Sequence, residues 1–323
     1  MADIPVIVTD NNKRVMSLDE HYRQVLNEKL LDPSVFAGQG NLTDAWFGGG
    51  FTPAIVSRVD RIIFSNDTVT AAVRGPLSLA RVYSAASGNL TDAWFGGGIS
   101  SSSLSRVDRI IFSNDTANAV AKGPLSSEIY SLAASGNSTD AWFGGGISSS
   151  SLSRANRIIF SNDTATAAVR GPLSLARINL AASGNSTDAW FGGGAPSLST
   201  IDRIIFSNDT ATATVRGPLS LARQQLAASG NSTAAWFGGG TPGSRSRVDR
   251  ILFSSDTAIA AVRGPLSLAR SFLAASGNTT DAWFGGGTPG EISTVDRIIF
   301  SNDTATAVAK GPLAVARNRL AAS

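Results

Sequence analysis

The hexapeptide Ala-Trp-Phe-Gly-Gly-Gly recurs along the chain, and this repeat constrains the fold more than any other feature of the sequence. All six tryptophans of the protein lie in it: Trp46, Trp94, Trp142, Trp190, Trp236 and Trp283. The copies are spaced roughly 47 residues apart, a period typical of propeller and solenoid units. A chain of 323 residues with such a period is predicted to be an array of similar supersecondary units.

One repeat, residues 189–231, shows how many strands a unit holds. Residues 201–206 form a β-branched, apolar run that stops at the turn-forming Ser-Asn-Asp-Thr of 207–210, which we interpret as a hairpin loop. A strand resumes at 211–215, and the following Gly-Pro ends it because proline cannot donate to a ladder. Ala-Trp-Phe and Leu-Ala-Ala-Ser supply two more strands. Four short strands without a crossover helix predict an all-β unit with antiparallel pairing.

The distribution of side-chain volume favours a closed ring of these units. The small Ala-Ala-Ser strand suits a crowded central axis, and the Trp and Phe positions suit the outer part, where the units diverge. The first unit begins at Gly40 without a preceding Leu-Ala-Ala-Ser strand, and residues 320–323 supply that strand at the C-terminus. We therefore predict an all-β fold, a six-bladed β-propeller with four antiparallel strands per blade over residues 39–323, closed by the C-terminal strand.

Residues 1–38 fall outside the repeat and are predicted to form an N-terminal arm. We expect a short strand near residues 4–8, a turn at 10–12 and an amphipathic helix from about 18 to 31. Ser17 and Glu20 form a capping-box pattern at the start of that helix. Two interpretations of the arm stay open: it packs on its own propeller, or it is an attachment or oligomerisation element.

Composition excludes several classes of function. The net charge of +3 is a weak field over 323 residues, and it does not favour a nucleic-acid partner. The chain has no cysteine, and its single histidine, His21, precedes the repeats, so no triad or histidine metal site is expected in the propeller. We predict no enzyme activity, no catalytic residues, no metal and no cofactor. No signal peptide or membrane span is expected, which predicts a soluble protein with no membrane partner.

The repeats resemble those of the kelch family. Residues 171–177 (Gly-Pro-Leu-Ser-Leu-Ala-Arg), the small strand 180–183 and the aromatic strand ending in Gly192-Gly193 follow the order of a kelch unit. Kelch units carry Trp in the outermost strand and Tyr in the third, where this chain has Val169 and Phe160. The amino-acid sequence of the repeats also resembles that of repeats in kelch-like structural proteins of marine tailed bacteriophages. The resemblance implies a propeller architecture and a virion protein.

Two charged positions recur in nearly every repeat. One is the arginine of Leu-Ala-Arg, found as Arg81, Arg177, Arg223, Arg270 and Arg317, with Ile129 in the remaining repeat. The other is the aspartate of Val-Asp-Arg, replaced once by Asn156. Repetition favours structural ion pairs over catalysis. For the arginines, a ring near the central channel that binds an anion is the alternative to a structural ring. The Ser-Asn-Asp-Thr loops hold too few carboxylates for calcium.

The repeats differ from one another mainly at two places, the loop after Gly-Gly-Gly and the two residues after the Leu-Ala-Arg arginine. In an up-and-down blade both segments lie on one face of the disc, which we call the variable face. We predict that this face binds the partner, and the alternative is neutral drift in loops. The candidate binding residues are Tyr83, Tyr130, Asn179, Gln225, Phe272, Arg319, Arg245 and Glu291.

These features predict a non-enzymatic structural or adhesion protein, a bacteriophage virion component located in the virion, as a decoration or a tail- or fibre-associated protein. Its arm would contact virion proteins, and its propeller would face a host-surface glycan or protein. One alternative is a multivalent carbohydrate-binding propeller whose similar blades give avidity. A second alternative is a designed or consensus repeat protein.

Overall fold

The computed structural model describes residues 8–9, 15–16 and 42–323. In the arm, β1 (Val8–Thr9) pairs antiparallel with β2 (Val15–Met16), with Val8 opposite Met16. The strand predicted near residues 4–8 therefore overlaps β1, and the turn predicted at residues 10–12 lies outside the described residues. The amphipathic helix predicted from 18 to 31 lies outside the described residues. In the part of the chain that is described, no helix is both long and apolar enough to cross a membrane.

Residues 42–323 form six four-stranded antiparallel sheets, arranged as the blades of a propeller. From the axis outward, blade 1 consists of β26 (Ala321–Ala322), β3 (Asp44–Gly48), β4 (Val59–Ile63) and β5 (Ala72–Arg74). Blade 2 consists of β6 (Ala85–Gly88), β7 (Asp92–Gly96), β8 (Val107–Ile111) and β9 (Val120–Lys122). Blade 3 consists of β10 (Ala133–Gly136), β11 (Asp140–Gly144), β12 (Ala155–Ile159) and β13 (Ala168–Arg170).

The other three blades repeat this order. Blade 4 consists of β14 (Ala181–Gly184), β15 (Asp188–Gly192), β16 (Ile201–Ile205) and β17 (Thr214–Arg216). Blade 5 consists of β18 (Ala227–Gly230), β19 (Ala234–Gly238), β20 (Val248–Leu252) and β21 (Ala261–Arg263). Blade 6 consists of β22 (Ala274–Gly277), β23 (Asp281–Gly285), β24 (Val295–Ile299) and β25 (Val308–Lys310). The predicted all-β six-bladed propeller is confirmed.

The third strand of each blade is shorter than predicted. In blade 4 it ends at Ile205, and Phe206–Asn208 form a 3-10 turn instead of continuing the strand. The reason lies in the neighbouring blade, because the Phe206 ring stacks on Trp142 with centroids 3.9 Å apart. The fourth strand also starts later than predicted, since Ala213 N–H donates to the carbonyl of Pro172 in the connection from blade 3, at 2.8 Å.

The hydrophobic core lies between the blades. Each interface combines small residues of the inner strands with the Trp of one blade and the Phe residues of the next. Between blades 3 and 4, Ala189, Phe191 and Ile204 pack with Leu173 and Leu180, and all five are buried. Gly144 is needed there because a Cβ at this position would lie 2.8 Å from the Phe191 ring. The aromatic positions of the repeat therefore join neighbouring blades.

The C-terminal strand closes the ring. Ala321 pairs with Gly48 and Ala322 with Phe47, so the last strand lies beside the first Trp strand of the propeller. Trp46 and Ser323 exchange two backbone hydrogen bonds of 2.9 and 3.1 Å. The prediction that blade 1 is completed by the C-terminal strand is confirmed.

Candidate functional site

The predicted arginine ring is buried inside the blades. The side chains of Arg81, Arg177, Arg223, Arg270 and Arg317 are fully inaccessible to solvent. Arg177 is typical: its Nη2 contacts Asp202 Oδ2 at 2.9 Å and donates to the Phe191 carbonyl at 2.9 Å, and its Nη1 donates to the Thr200 carbonyl at 2.8 Å. Each such arginine therefore anchors the connection from one blade to the second and third strands of the next. With no exposed surface, these groups offer no anion site to the channel.

Burial dominates the electrostatics of these arginines. It lowers the pKa of Arg177, Arg223 and Arg270 below the ordinary value, against the opposing attraction of the paired aspartate. Burial lowers the pKa of Arg317 furthest, to about 10, although Asp60 lies 3.0 Å away. The aspartate is therefore required to hold each guanidinium in the interior, and its loss would leave an uncompensated buried charge.

The two exceptional residues of this pattern belong to the same blade. Ile129 occupies the arginine position and Asn156 the aspartate position of blade 3, and both are fully buried. Asn156 Oδ1 still accepts a hydrogen bond from the Ser126 backbone N–H at 3.2 Å, as Asp202 does from Ser174 at 3.0 Å. Both charges of the ion pair are thus absent together, which avoids an unpaired buried charge.

The aspartates of the Ser-Asn-Asp-Thr loops join neighbouring blades. Asp209 in blade 4 accepts a hydrogen bond from Trp142 Nε1 of blade 3 at 2.8 Å, and Arg157 and Arg170 of blade 3 lie 3.5 and 3.4 Å from the same carboxylate. In the part of the chain that the structure describes, no group of three or more His, Cys, Asp or Glu residues is placed to hold a metal. These loops therefore have a structural role.

The two variable segments meet on one face. The loop after Gly-Gly-Gly pairs with the residues after the arginine position through isolated bridges such as Val82 with Ile99 and Tyr130 with Ile147. Next to these bridges, each blade contributes one residue to the mouth of the central channel. We call this set the mouth ring: Tyr83, Ser131, Asn179, Gln225, Phe272 and Arg319.

The mouth ring is closed by its own backbone. Each member donates its N–H to the carbonyl of the member in the preceding blade, from Tyr83 to Arg319 and so on around the axis, with N···O distances between 2.7 and 3.0 Å. All six residues have φ between 54° and 60°, the left-handed region. This region is disfavoured for residues other than Gly, Asn and Asp. The positive φ angles are therefore imposed by closure of the backbone ring and not by side-chain preference.

The side chains divide the mouth ring into two halves. Arg319 lies 5.3 Å from the Tyr83 ring centroid and 4.9 Å from that of Phe272, and the two aromatic rings meet edge to face at 5.7 Å. The other half holds the smaller polar side chains Ser131, Asn179 and Gln225. The cavity they enclose has a volume of about 70 Å³. Within the described residues, no carboxylate lies in ion-pair distance of Arg319.

The remaining predicted binding residues lie around this mouth. Tyr130 precedes the ring member Ser131, and its ring centroid is 6.4 Å from that of Tyr83. Arg245 and Glu291 are exposed on the loops of the variable face, and Arg245 Nε donates to the Pro242 carbonyl at 2.8 Å. Ser131 was missed by sequence reasoning because Tyr130 is the larger of two adjacent variable residues. Only the register of the connection identifies which one faces the channel.

The opposite end of the channel is uniform. Every blade contributes an Ala-Ser pair, followed by a glycine in blades 2 to 6, and these residues line a cavity of about 80 Å³. The chain therefore has one end of the channel in which every blade is alike and one end at which neighbouring blades differ.

A second carboxylate position is occupied in five blades and empty in one. Asp188 Oδ1 accepts a hydrogen bond from Arg203 Nε at 2.8 Å, and the equivalents of these two residues in blade 5 are Ala234 and Arg250. We expect Ala234→Asp to raise the free energy of unfolding by about 0.5–2 kcal/mol, because it restores this half-buried ion pair. Thermal unfolding would measure the gain, and Ala234→Asn, which adds volume without charge, should give little of it. Equal gains from both variants would contradict the ion-pair explanation.

Comparison with protein-family models finds none that matches the chain, and comparison with curated proteins finds no match.

Proposed function

We propose that this chain is a non-enzymatic binding and structural protein that presents the mouth ring to a partner. The observation that carries the proposal is the left-handed backbone of all six ring residues, three of which have large side chains. A left-handed conformation costs an L residue about 1–2 kcal/mol relative to glycine. Asn179 is the type of residue that tolerates this position best. The retention of Tyr83, Phe272 and Arg319 at strained positions supports a role for their side chains in binding.

The chemistry of the mouth supports binding without catalysis. Its titratable side chains are those of Tyr83 and Arg319, and the Arg319 Nε donates to the Tyr83 hydroxyl. The described part of the mouth ring contains no carboxylate or imidazole that could act as a general base. The asymmetric arrangement instead offers aromatic faces and a cation on one side and amide groups on the other.

The finer proposal is that the protein is a bacteriophage virion component, attached through the arm of residues 1–38. The resemblance of the repeats to phage kelch-like structural proteins supports it. The test compares the full chain with a chain lacking residues 1–38, by negative-stain microscopy and by capture of purified capsid and tail proteins. We expect the full chain to assemble or capture a virion protein and the shortened chain to remain a monomeric disc. Identical behaviour of both as free monomers would contradict attachment through the arm.

A second candidate function is carbohydrate binding, and the aromatic half of the mouth ring favours it. Tyr83 and Phe272 provide ring faces next to the Arg319 guanidinium, and Gln225 and Asn179 provide amides across the channel. Because the mouth ring is asymmetric, this candidate has one site on the axis instead of six equivalent ones. A glycan array separates it from the first proposal: binding that is lost in a Tyr83→Asn/Phe272→Asn variant supports it, and an array without any bound glycan contradicts it.

A further inference from the structure

Blade 5 lacks a carboxylate that the other five blades supply from their own second strand. In those blades the aspartate before Ala-Trp accepts a hydrogen bond from an arginine Nε of the third strand, at 2.7–2.9 Å. The five pairs are Asp44 with Arg61, Asp92 with Arg109, Asp140 with Arg157, Asp188 with Arg203 and Asp281 with Arg297. In blade 5 the second strand starts with Ala234, and Arg250 is opposite Trp236 in the same register.

The arginine of blade 5, Arg250, makes fewer contacts than its counterparts in the other five blades. Arg250 Nη1 contacts Asp303 Oδ2 of blade 6 at 3.0 Å, as its counterparts do with the next blade. Its Nε, however, is buried and has no hydrogen-bond partner among the described residues. The five counterparts also lie 5.3–5.7 Å above a tryptophan ring, a contact not found for Arg250 in the described structure. A buried N–H donor of a charged group is thus left unsatisfied, which is costly.

A cavity of about 350 Å³ is lined by Ala234, at whose position the other blades carry the aspartate, and by Arg250. Its walls include Asn231, Thr233, Ala234, Arg250, Thr280 and Ser301, from blades 5 and 6. The volume lies in the range of about 300–1,000 Å³ that is usual for small-ligand sites. The lining supplies a cation, hydroxyl groups and an amide beside the apolar side chains of Trp236, Leu252 and Phe300, so it suits a negatively charged organic ligand.

The other blades show how a carboxylate is held at this place. There the second aspartate oxygen accepts a hydrogen bond from the preceding threonine, at 2.6 Å in Asp92 and Asp140. Blade 5 retains that threonine as Thr233, whose hydroxyl donates to Asn231 Oδ1 at 2.8 Å, as the hydroxyls of Thr91 and Thr139 donate to the equivalent asparagines at 3.0 Å. The two donors that bind a carboxylate in the sister blades, an arginine Nε and a threonine hydroxyl, are therefore both present in blade 5.

We propose that the cavity beside Ala234 is a binding site for an exogenous carboxylate, which replaces the missing aspartate. One carboxylate oxygen accepts the Arg250 Nε–H, and the other accepts the Thr233 hydroxyl. The ligand is a small organic acid, either a simple carboxylate or a sugar acid whose hydroxyl groups contact Thr280 and Ser301. The site lies on the face opposite the mouth ring, so it does not depend on the proposed function.

The test is an NMR titration of the arginine Nε–H resonances of the full chain with sodium acetate, at constant ionic strength set with sodium chloride. We expect one resonance of the wild-type protein to shift saturably. In Ala234→Asp the chain's own carboxylate fills the site, and the apparent affinity for acetate should fall at least about tenfold. The matched variant Asp188→Ala places alanine in blade 4 at the position that is Ala234 in blade 5. In this variant we expect a second arginine resonance, that of Arg203, to shift saturably with acetate.

Two results would overturn the proposal: a wild-type protein without a saturable response, or an Ala234→Asp variant that responds like the wild type. Asp188→Ala is expected to fold because blade 5 already tolerates alanine at this position. If it does not fold, the titrations of the wild type and of Ala234→Asp are sufficient to test the proposed site. Repeating the titration with glucuronate, and with glucose as the neutral control, identifies the source of the carboxylate. Tighter binding of glucuronate than of acetate assigns a sugar acid, equal binding assigns a simple carboxylate, and saturable binding of glucose at the same resonance contradicts a carboxylate site.

Discussion

Replacing Asp202 by asparagine is expected to lower the free energy of unfolding by about 3–5 kcal/mol, because Arg177 is then buried without a counter-charge. Asparagine keeps the size of the side chain and can still accept the hydrogen bond from the Ser174 backbone, as Asn156 does from Ser126. The loss therefore reports the charge and not a cavity. Chemical denaturation at neutral pH would measure it.

The chain provides its own control for this substitution. Blade 3 combines Ile129 with Asn156, so the double variant Arg177→Ile/Asp202→Asn copies a pair that the fold already contains. We expect the double variant to recover most of the stability lost in Asp202→Asn, since replacing a buried ion pair by apolar and neutral groups is often close to neutral. A double variant that is no more stable than the single one would contradict the ion-pair account of the arginine ring.

Removing residues 320–323 is expected to destabilise the propeller by about 5 kcal/mol or more. The deletion takes away the buried Leu320 side chain and the two backbone hydrogen bonds between Trp46 and Ser323. It also exposes the inner edge of blade 1 to solvent. We expect thermal unfolding to begin at a much lower temperature and to lose cooperativity.

The control for this deletion supplies the same strand of blade 1 from the N-terminal side of the propeller sequence. In the shortened chain, residues 36–39 are replaced by Leu-Ala-Ala-Ser, which then precedes Gly40-Asn41 as in the other repeats. If the strand acts by completing blade 1, this permuted chain should regain most of the lost stability. Failure of the permuted chain to regain stability, or full stability of the deleted chain, would show that closure by this strand is not what holds the ring.

The architecture could be predicted from the sequence because it depends on features that repeat. Three such features can be recognised in the sequence alone: the spacing of the tryptophans, the small residues before Gly-Asn, and the Leu-Ala-Ala-Ser of residues 320–323, which stands at the C-terminus instead of before the first repeat. The end of the third strand could not be predicted in this way. Phe206 has the composition of a strand residue, and it leaves the sheet only because Trp142 of another blade stacks on it.

The candidate sites depended on contacts that a sequence does not display. Ile129 and Asn156 are visible as exceptions, but only the structure shows that they occupy the two ends of the same ion pair. The substitution at Ala234 is likewise visible, and its meaning comes from the hydrogen bond between Asp188 and Arg203 in blade 4. The left-handed backbone of the mouth ring has no signature in residues such as Phe272, since glycine or asparagine would be the usual choice there.

The binding role of the mouth ring is tested most directly by measuring partner affinity for the wild type and for Tyr83→Asn/Phe272→Asn/Arg319→Asn. Blade 4 already carries Asn179 at the same backbone angle, so thermal unfolding of the triple variant should be close to that of the wild type. A loop variant, Arg245→Asn/Glu291→Gln, controls for the rest of the variable face. The partner is the glycan or virion protein identified for the wild-type chain.

We predict that the triple variant loses at least about 30-fold in affinity, as expected when central binding residues are removed, while the loop variant binds within a few-fold of the wild type. A triple variant that folds and binds like the wild type, or a wild-type chain that binds neither a glycan nor a virion protein, would contradict the proposed function.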